Sequence, residues 1–411
     1  MSSPSVQPIL QKAKNLERIT EEEAALLWHE APLAELMAAA HEVRLKRADP
    51  DVVTFVIDRN INYTNICNVY CSFCAFYRTP RDKDTYVLTI EDVLAKVDEL
   101  VQLKGTQVLL QGGLNPDLPI AYMEDLFRAI RAKYPQVDIH SLTATEIEFW
   151  AKQHGTTYAE ILKRLKDAGM KSLPGGGMEI LVDEVRKRVS PLKTSAAEYI
   201  NVHRECHKLG MTTTATMMYG MGESIEQRVE HLRLVRALQD EADAAGRRGF
   251  TAFIPWSYQT DGTSTALRAP PPKELGIEMP KKTHWGATAN DYLRVIAVSR
   301  LYLDNFANIQ SGWVTEGARI AQIALHGGAN DWGGILMEEN VISAAGTAFT
   351  MSPKDACAHI RDAGFVPAQR DTYYKVLRVF DKGDPEERVN RRLTLAVTQK
   401  SLLADNAQTL Q

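Results

Sequence analysis

The chain has 411 residues, 45% of them hydrophobic and 24% charged, a composition that excludes a disordered or low-complexity protein and leaves ample chain for a large core. A net charge of -4 argues against nucleic acid as a partner, because phosphate binding wants a basic surface. No run approaches the ~20 apolar residues of a membrane span, and residues 1–10 lack the basic start and apolar run of a signal peptide, so a cytoplasmic protein with no membrane partner is expected.

Residues 1–50, with Leu26, Leu27 and Leu33 among charged neighbours, read as a helical N-terminal extension. From there β-rich runs alternate with amphipathic segments. The first expected strand is 52–58. Ile90, Val93, Leu94, Val97 and Val101 then recur at helical spacing, with Thr89 as N-cap and Gly105 just past the end. A second strand at 107–110 precedes a helix with Met123, Leu126, Phe127 and Ile130 on one face. Six further strands are expected at 138–142, 172–173, 212–219, 249–256, 308–314 and 330–337. Eight βα units in strict alternation favour a parallel sheet closed into an α/β barrel of the (β/α)8 TIM type, spanning 51–369. The prolines at 270–272 and the segment to His284 read as a lid over the barrel mouth. Residues 370–411 read as a polar, partly helical tail packing on or beside the barrel.

Five cysteines in so long a chain make no disulfide framework. Three of them, Cys67, Cys71 and Cys74, lie within eight residues just after the first strand, which points to metal or redox chemistry. Three thiolates on one loop can ligate three irons of a four-iron cluster and leave the fourth iron without a protein ligand, whereas an electron-transfer cluster usually has four. The alternatives are three free thiols or a zinc site, although zinc wants a fourth Cys or His at matching spacing. Cys206 and Cys357 read as buried core thiols. His203 and His207, among Arg204, Glu205 and Lys208, read as a solvated helix face rather than a metal pair. Glycines cluster at 112–113, 175–177 and 220–222. Each cluster alone is more often a tight turn than a site, but all fall at C-terminal strand ends, the face that carries barrel active sites.

The loop Cys67-Asn68-Val69-Tyr70-Cys71-Ser72-Phe73-Cys74 resembles the Cys-x3-Cys-x-aromatic-Cys hallmark of the radical S-adenosylmethionine (SAM) superfamily. The resemblance covers most of the chain. The segments 59–65, 74–78, 111–116 and 337–346 look like the menaquinone (futalosine pathway) and deazaflavin-cofactor subgroup. Within it, 58–65, 253–256 and 308–310 with Trp313 most resemble the cyclic dehypoxanthine futalosine synthases. The chain departs from the pattern at 140–146, where a Ser-Pro stretch is common, and at Met178, where a smaller residue is usual.

The resemblance implies a [4Fe-4S] cluster whose one non-protein-ligated iron binds SAM, and a 5′-deoxyadenosyl radical made by one-electron cleavage. It implies Phe73 against the adenine, Gln111, Gly112 and Gly113 at the methionine amine, Glu179 at the ribose or amine, and Tyr219 with Glu223 bordering the adenine. The implied activity is that of a radical SAM oxidoreductase of menaquinone biosynthesis. It would abstract the C4′ hydrogen of a small nucleoside-derived substrate, dehypoxanthine futalosine, and the carbon radical would add to the substrate's benzoate ring. A flavodoxin or ferredoxin is the implied one-electron donor. Aminofutalosine synthase, a radical SAM component of deazaflavin-cofactor synthesis, and a non-catalytic iron-sulfur or zinc scaffold are the other readings. For the substrate, Trp256, Trp313 and Trp332 are candidate cavity walls or ordinary packing. Gln310, Asn330 and Asp331 are candidate ribose partners. Arg59 or Arg78 would pair with the benzoate carboxylate or serve in structural ion pairs. His140 either faces the substrate or packs within the barrel.

Overall fold

The structure, a computed structural model, describes residues 6–259, 276, 286–346 and 349–385. The proline-bearing segment expected as a lid lies, residue 276 apart, outside the described residues. Three helices open the chain, Val6–Lys14, Glu21–Glu30 and Leu33–Arg47. Thr20 starts the second through a capping box with Glu23, which satisfies two backbone donors that a helix end leaves bare. These helices pack on Ile225–Ala244 and Ala289–Tyr302, two helices of the barrel's outer layer. Arg236 clamps the junction. It is buried, donates to the Ile19 carbonyl at 2.9 Å and the Tyr302 carbonyl at 3.1 Å, and reaches Glu21 at 3.2 Å.

Strands β1 (Val52–Val56) and β2 (Asp58–Ile61) form one extended run interrupted at Ile57. From β2 a parallel sheet proceeds in chain order through β3 (Gln107–Leu110), β4 (Asp138–Ser141), β5 (Ser172–Leu173), β6 (Thr212–Tyr219) and β7 (Phe250–Ser257). Parallel bridges from Phe253 to Ile309 and from Gln310 to Asp331 carry the pairing on to β8 (Asp331–Gly334), which pairs with β1. The sheet therefore curls round until its last strand meets its first, the closure of a TIM-type barrel. Helices such as Ile90–Gln102 fill the crossovers, and Thr89 caps that one with Asp92 completing the box.

Two elements differ from expectation. At 308–314 only the bridges at Ile309 and Gln310 remain, because the Gly312 N–H is taken by the Tyr292 hydroxyl at 2.5 Å and Trp313–Glu316 turns into a short helix. Past the barrel, the described part of the expected helical tail is extended. β9 (Val366–Arg370) pairs in parallel with β1, and β10 (Val376–Val379) folds back on it antiparallel. Asp371 makes that reversal by accepting the Tyr373 and Lys375 N–H groups at 2.8 and 2.9 Å, and the β-branched valines of β10 suit a strand better than a helix. β9 occupies the edge of β1 just below the stretch where β3 pairs with β2, so it forms part of the barrel floor.

Because Arg236 is the buried link between the N-terminal helices and the barrel, Arg236→Ala should lower the unfolding free energy by about 2–3 kcal/mol, read by denaturant titration.

Candidate active site

The barrel encloses a cavity of about 420 Å³. Interiors of such barrels are normally filled by branched apolar side chains. Here the inward positions also include Asn60, Gln107, His140, Thr214 and Thr216, so polar groups stand among the largely apolar side chains that line the cavity. The upper end is walled by Cys67, Cys71 and Cys74 on the loop that leaves β2.

That loop is fixed through its backbone. The Cys67 N–H donates to the Arg78 carbonyl at 2.9 Å and the Asn68 N–H to the Leu114 carbonyl at 3.2 Å. The Ser72 N–H and hydroxyl both donate to the Val189 carbonyl at 2.9 Å. Gly113, after β3, lies against the same loop so closely that a Cβ would overlap the Ile66 carbonyl and come within 2.8 Å of the Cys67 Cβ. Gly112 abuts the Tyr63 ring in the same way. None of the three cysteines is in a disulfide, and burial pushes Cys67 up to about 11 and Cys71 in the same direction. Deprotonating Cys67 and Cys71 in place is costly unless cationic iron offsets the charge, and three thiols opening on one cavity are the donor set that an iron-sulfur cluster uses. Among the described residues no three His, Cys, Asp or Glu side chains gather as ligands of a single metal ion. Thiolates bound to separate irons of a cluster need not converge on one point.

Opposite the loop, Gly175, Gly176, Gly177 and Glu179 line the cavity. Glu179 has φ of 44°, and its carboxylate accepts from Lys193 at 2.8 Å. Lys193 is a site residue that sequence reasoning missed. It lies 5.3 Å from the Phe73 ring centroid and its charge favours thiolate at both Cys67 and Cys71. Glu146 was missed as well. It lines the cavity, accepts from the Tyr63 hydroxyl at 2.5 Å and the Gly112 N–H at 3.2 Å, and leaves its second oxygen buried without a partner. Burial pushes this carboxyl up to about 7.

Among the other expected residues, Phe73, Gln111, Gln310, Trp256 and Trp313 reach the cavity. Phe73 and Trp256 pack on a common apolar patch of Met218, Met221 and Tyr258. His140 also lines the cavity, with its Nδ1 2.6 Å from the Ser172 hydroxyl, and burial lowers it to about 3, so the ring is neutral.

The remaining candidates lie elsewhere. Successive side chains of a strand point to opposite faces. On β6 the inward residues are Thr214, Thr216 and Met218, which leaves Tyr219 behind the wall under the Arg228 guanidinium at 4.8 Å. Glu223 shapes a turn by accepting the Gly220 and Met221 N–H groups at 2.7 and 2.8 Å. The same alternation turns Arg59 outward from β2, where it pairs with Glu99 at 2.6 Å and Glu338 at 2.9 Å. Arg78 lies beneath the cysteine loop, donating to the Ala75, Phe76 and Tyr77 carbonyls at 3.3, 3.1 and 3.1 Å and to Asp84 at 2.7 Å. Trp332 is buried behind β8, its ring centroid 5.7 Å from that of His359. Asn330 accepts from Arg300 at 2.6 Å and from the Ile309 N–H at 2.9 Å, joining the strand ends, and Asp331 pairs with Arg370 at 2.6 Å. His203 and His207 are not solvated either. Both are buried, the first stacked on Tyr199 with ring centroids 5.1 Å apart and the second 2.8 Å from the Thr213 hydroxyl.

Residues 61–235 match the model of the radical SAM superfamily, and residues 247–382 match the CofH/MqnC C-terminal region. The cyclic dehypoxanthine futalosine synthase of Halalkalibacterium halodurans is 42% identical over 93% of this chain and 98% of its own length. This chain belongs to the radical SAM superfamily. Another relative is the 5-amino-6-(D-ribitylamino)uracil--L-tyrosine 4-hydroxyphenyl transferase of Methanothermobacter thermautotrophicus, 41% identical over 89% of this chain and 96% of its own. The crystal structure of HydG, a maturase of the [FeFe]-hydrogenase, shares the fold, with a TM-score of 0.67 at 17% identity over 90% of this chain and 76% of that one. Membership of the radical SAM family implies a four-iron cluster and SAM, and the three cavity thiols are the residues of this chain that fit the cluster.

Two outcomes follow from this geometry. Gly113→Ala should push the cysteine loop aside at a strain of about 1–3 kcal/mol and strip most of the iron from a chain that keeps its far-ultraviolet circular dichroism. A buried carboxyl with a raised value stabilises the fold fully below its unfolded value near ~4.3, and the contribution is lost as pH rises through the folded value. Glu146→Gln should therefore reduce the loss of stability between pH 5 and pH 8 by up to about 3 kcal/mol in urea titrations.

Proposed function

We propose that this chain converts dehypoxanthine futalosine to cyclic dehypoxanthine futalosine, as a radical SAM oxidoreductase of menaquinone biosynthesis. The observation that carries the reading is the near full-length match, at 42% identity, to a synthase of that name, on a chain whose three thiols open on the barrel cavity. When bound, a four-iron cluster with SAM on an iron free of protein ligands supplies a carbon-centred radical by one-electron cleavage. A flavodoxin or ferredoxin is the proposed source of that electron.

This chain's own residues hold the reactants. Phe73, Met218 and Trp256 offer an apolar wall beside the cysteine end, suited to a flat heterocycle. The backbone of Gly112 and Gly113 leaves room for a ligand to approach closely, and the unpaired oxygen of Glu146 beside them accepts a hydrogen bond from an amine or hydroxyl. Gln310 and Trp313 line the opposite wall. A recessed cavity limits the access of water and stray hydrogen donors and holds the substrate carbon next to its upper end.

Anaerobic incubation of the iron-loaded chain with SAM, a reductant and dehypoxanthine futalosine should give 5′-deoxyadenosine and a product two hydrogens lighter than the substrate. Deoxyadenosine without that product would refute the substrate assignment.

A further inference from the structure

The reaction proposed above makes a geometric demand. The sugar carbon that loses hydrogen must lie near the cysteines, while the substrate carries a negative charge at its other end, on the aromatic ring. Among the described residues lining the cavity, the Lys and Arg side chains are two, Lys193 and Arg370. Lys193 stands at the cysteine end, and Glu179 already meets its charge at 2.8 Å. Arg370 stands at the opposite end. It closes β9, one residue beyond the Phe55–Gln369 pair, which sets it level with Val56. The strand exit at Ile61 is five residues farther on, roughly 17 Å along the barrel.

The floor around Arg370 is built rather than incidental. The guanidinium is buried and held in a fixed orientation. Asp331 accepts from its Nε and Nη2 at 2.6 and 2.9 Å, the Asp371 carbonyl accepts from Nη1 at 3.0 Å, and the Tyr374 ring centroid lies 3.8 Å away. The Tyr374 hydroxyl accepts from Nη2 at 3.2 Å, so of the five N–H donors in the guanidinium's rigid fork one, on Nη1, is left to receive a ligand. Two neighbouring polar groups on the cavity wall have unused capacity. The Thr372 hydroxyl is buried without a hydrogen-bond partner, and so is the side-chain oxygen of Asn60. The Asn60 amide can present either its oxygen or its NH2 group to a ligand by a side-chain flip. Burying polar groups unpaired is costly, and a ligand that bonds to them removes the cost. The one other carboxyl on the floor, Asp58, accepts from the Leu336 N–H at 2.9 Å, and burial pushes it up to about 7, which moderates its repulsion of an incoming anion.

We propose that Arg370, with Thr372 and Asn60, forms the subsite that holds the aromatic carboxylate of the substrate at the barrel floor. The inference rests on the activity proposed above. It makes Arg370 a specificity residue: anchoring the ring at the floor fixes how far the sugar stands from the cysteines. It also gives the C-terminal strand pair a part in substrate choice, since β9 brings in Arg370 and the turn that follows brings in Thr372.

The test compares dehypoxanthine futalosine with its carboxamide analogue on the full-length, iron-loaded chain. The wild-type chain should favour the carboxylate by about thirtyfold in kcat/KM, the scale of one charge-assisted hydrogen-bonded pair, with most of the effect in KM. Arg370→Met combined with Asp331→Asn removes both charges together, so no unpaired charge is left buried. In that variant the preference should fall below about threefold. Thr372→Val, which leaves the ion pair intact, should lower it about fivefold and serves if the double variant fails to fold. A variant with the wild-type melting temperature and iron content that keeps the full preference would overturn the subsite. Absence of cyclic product from the wild-type chain would count against the activity itself, whereas product formation with unaltered preference counts against the floor assignment alone.

Discussion

The run from Val52 to Ile61 is the constraint on which the rest of the molecule depends. Its first half pairs with β8 on one edge and β9 on the other, and its second half starts the parallel sheet at β3. A single extended segment thus closes the ring, carries the floor and, at its exit, launches the cysteine loop. The loop is not free to settle wherever its own turns prefer. Gly113 at the exit of the neighbouring strand presses on Ile66 and Cys67, so the position of the thiols is set by strand pairing rather than by the loop.

Charge follows the same vertical order. Arg59 and Glu338 pair on the outer side of β2, Lys193 and Glu179 face each other near the mouth, and Arg370 and Asp331 pair at the base. Each charge of these three pairs has a nearby opposite, which offsets the cost of its desolvation. The mouth pair and the arginine of the base pair border the hollow and can bear on what enters it. The outer pair holds helix Ile90–Gln102 to the barrel through Glu99 and stays out of the chemistry.

Much of this was legible in the residues, because the signals were local. The cysteine spacing, the Thr89 cap and the βα alternation each concern residues close along the chain, where period and composition decide the outcome. Errors came where a local signal had two physical readings. The glycines at 220 and 222 resemble a ligand cradle, yet Glu223 spends its oxygens on that turn's own N–H groups. His203 and His207 stand among charged residues, yet their face of the helix Ala196–Lys208 is the buried one. Tyr219 was placed at the site by its position at the end of a strand, and the two-residue alternation of β6 put Met218 there instead. Nothing local could have revealed Arg370 or Glu146. Arg370 meets Asp331 across 39 residues and Glu146 meets Tyr63 across 83, and only closure of the ring brings them together.

The hollow has a consequence for the working cycle. A barrel that leaves a cavity at its centre gives up part of the cohesion that such folds ordinarily take from a packed interior. The outer helices, their capping boxes and the arginine clamp at the N-terminus carry the burden instead. Whatever molecule occupies the hollow then serves as a temporary keystone. Each release of product takes that keystone away, so the moment of exchange is also the moment at which the barrel is held together least tightly.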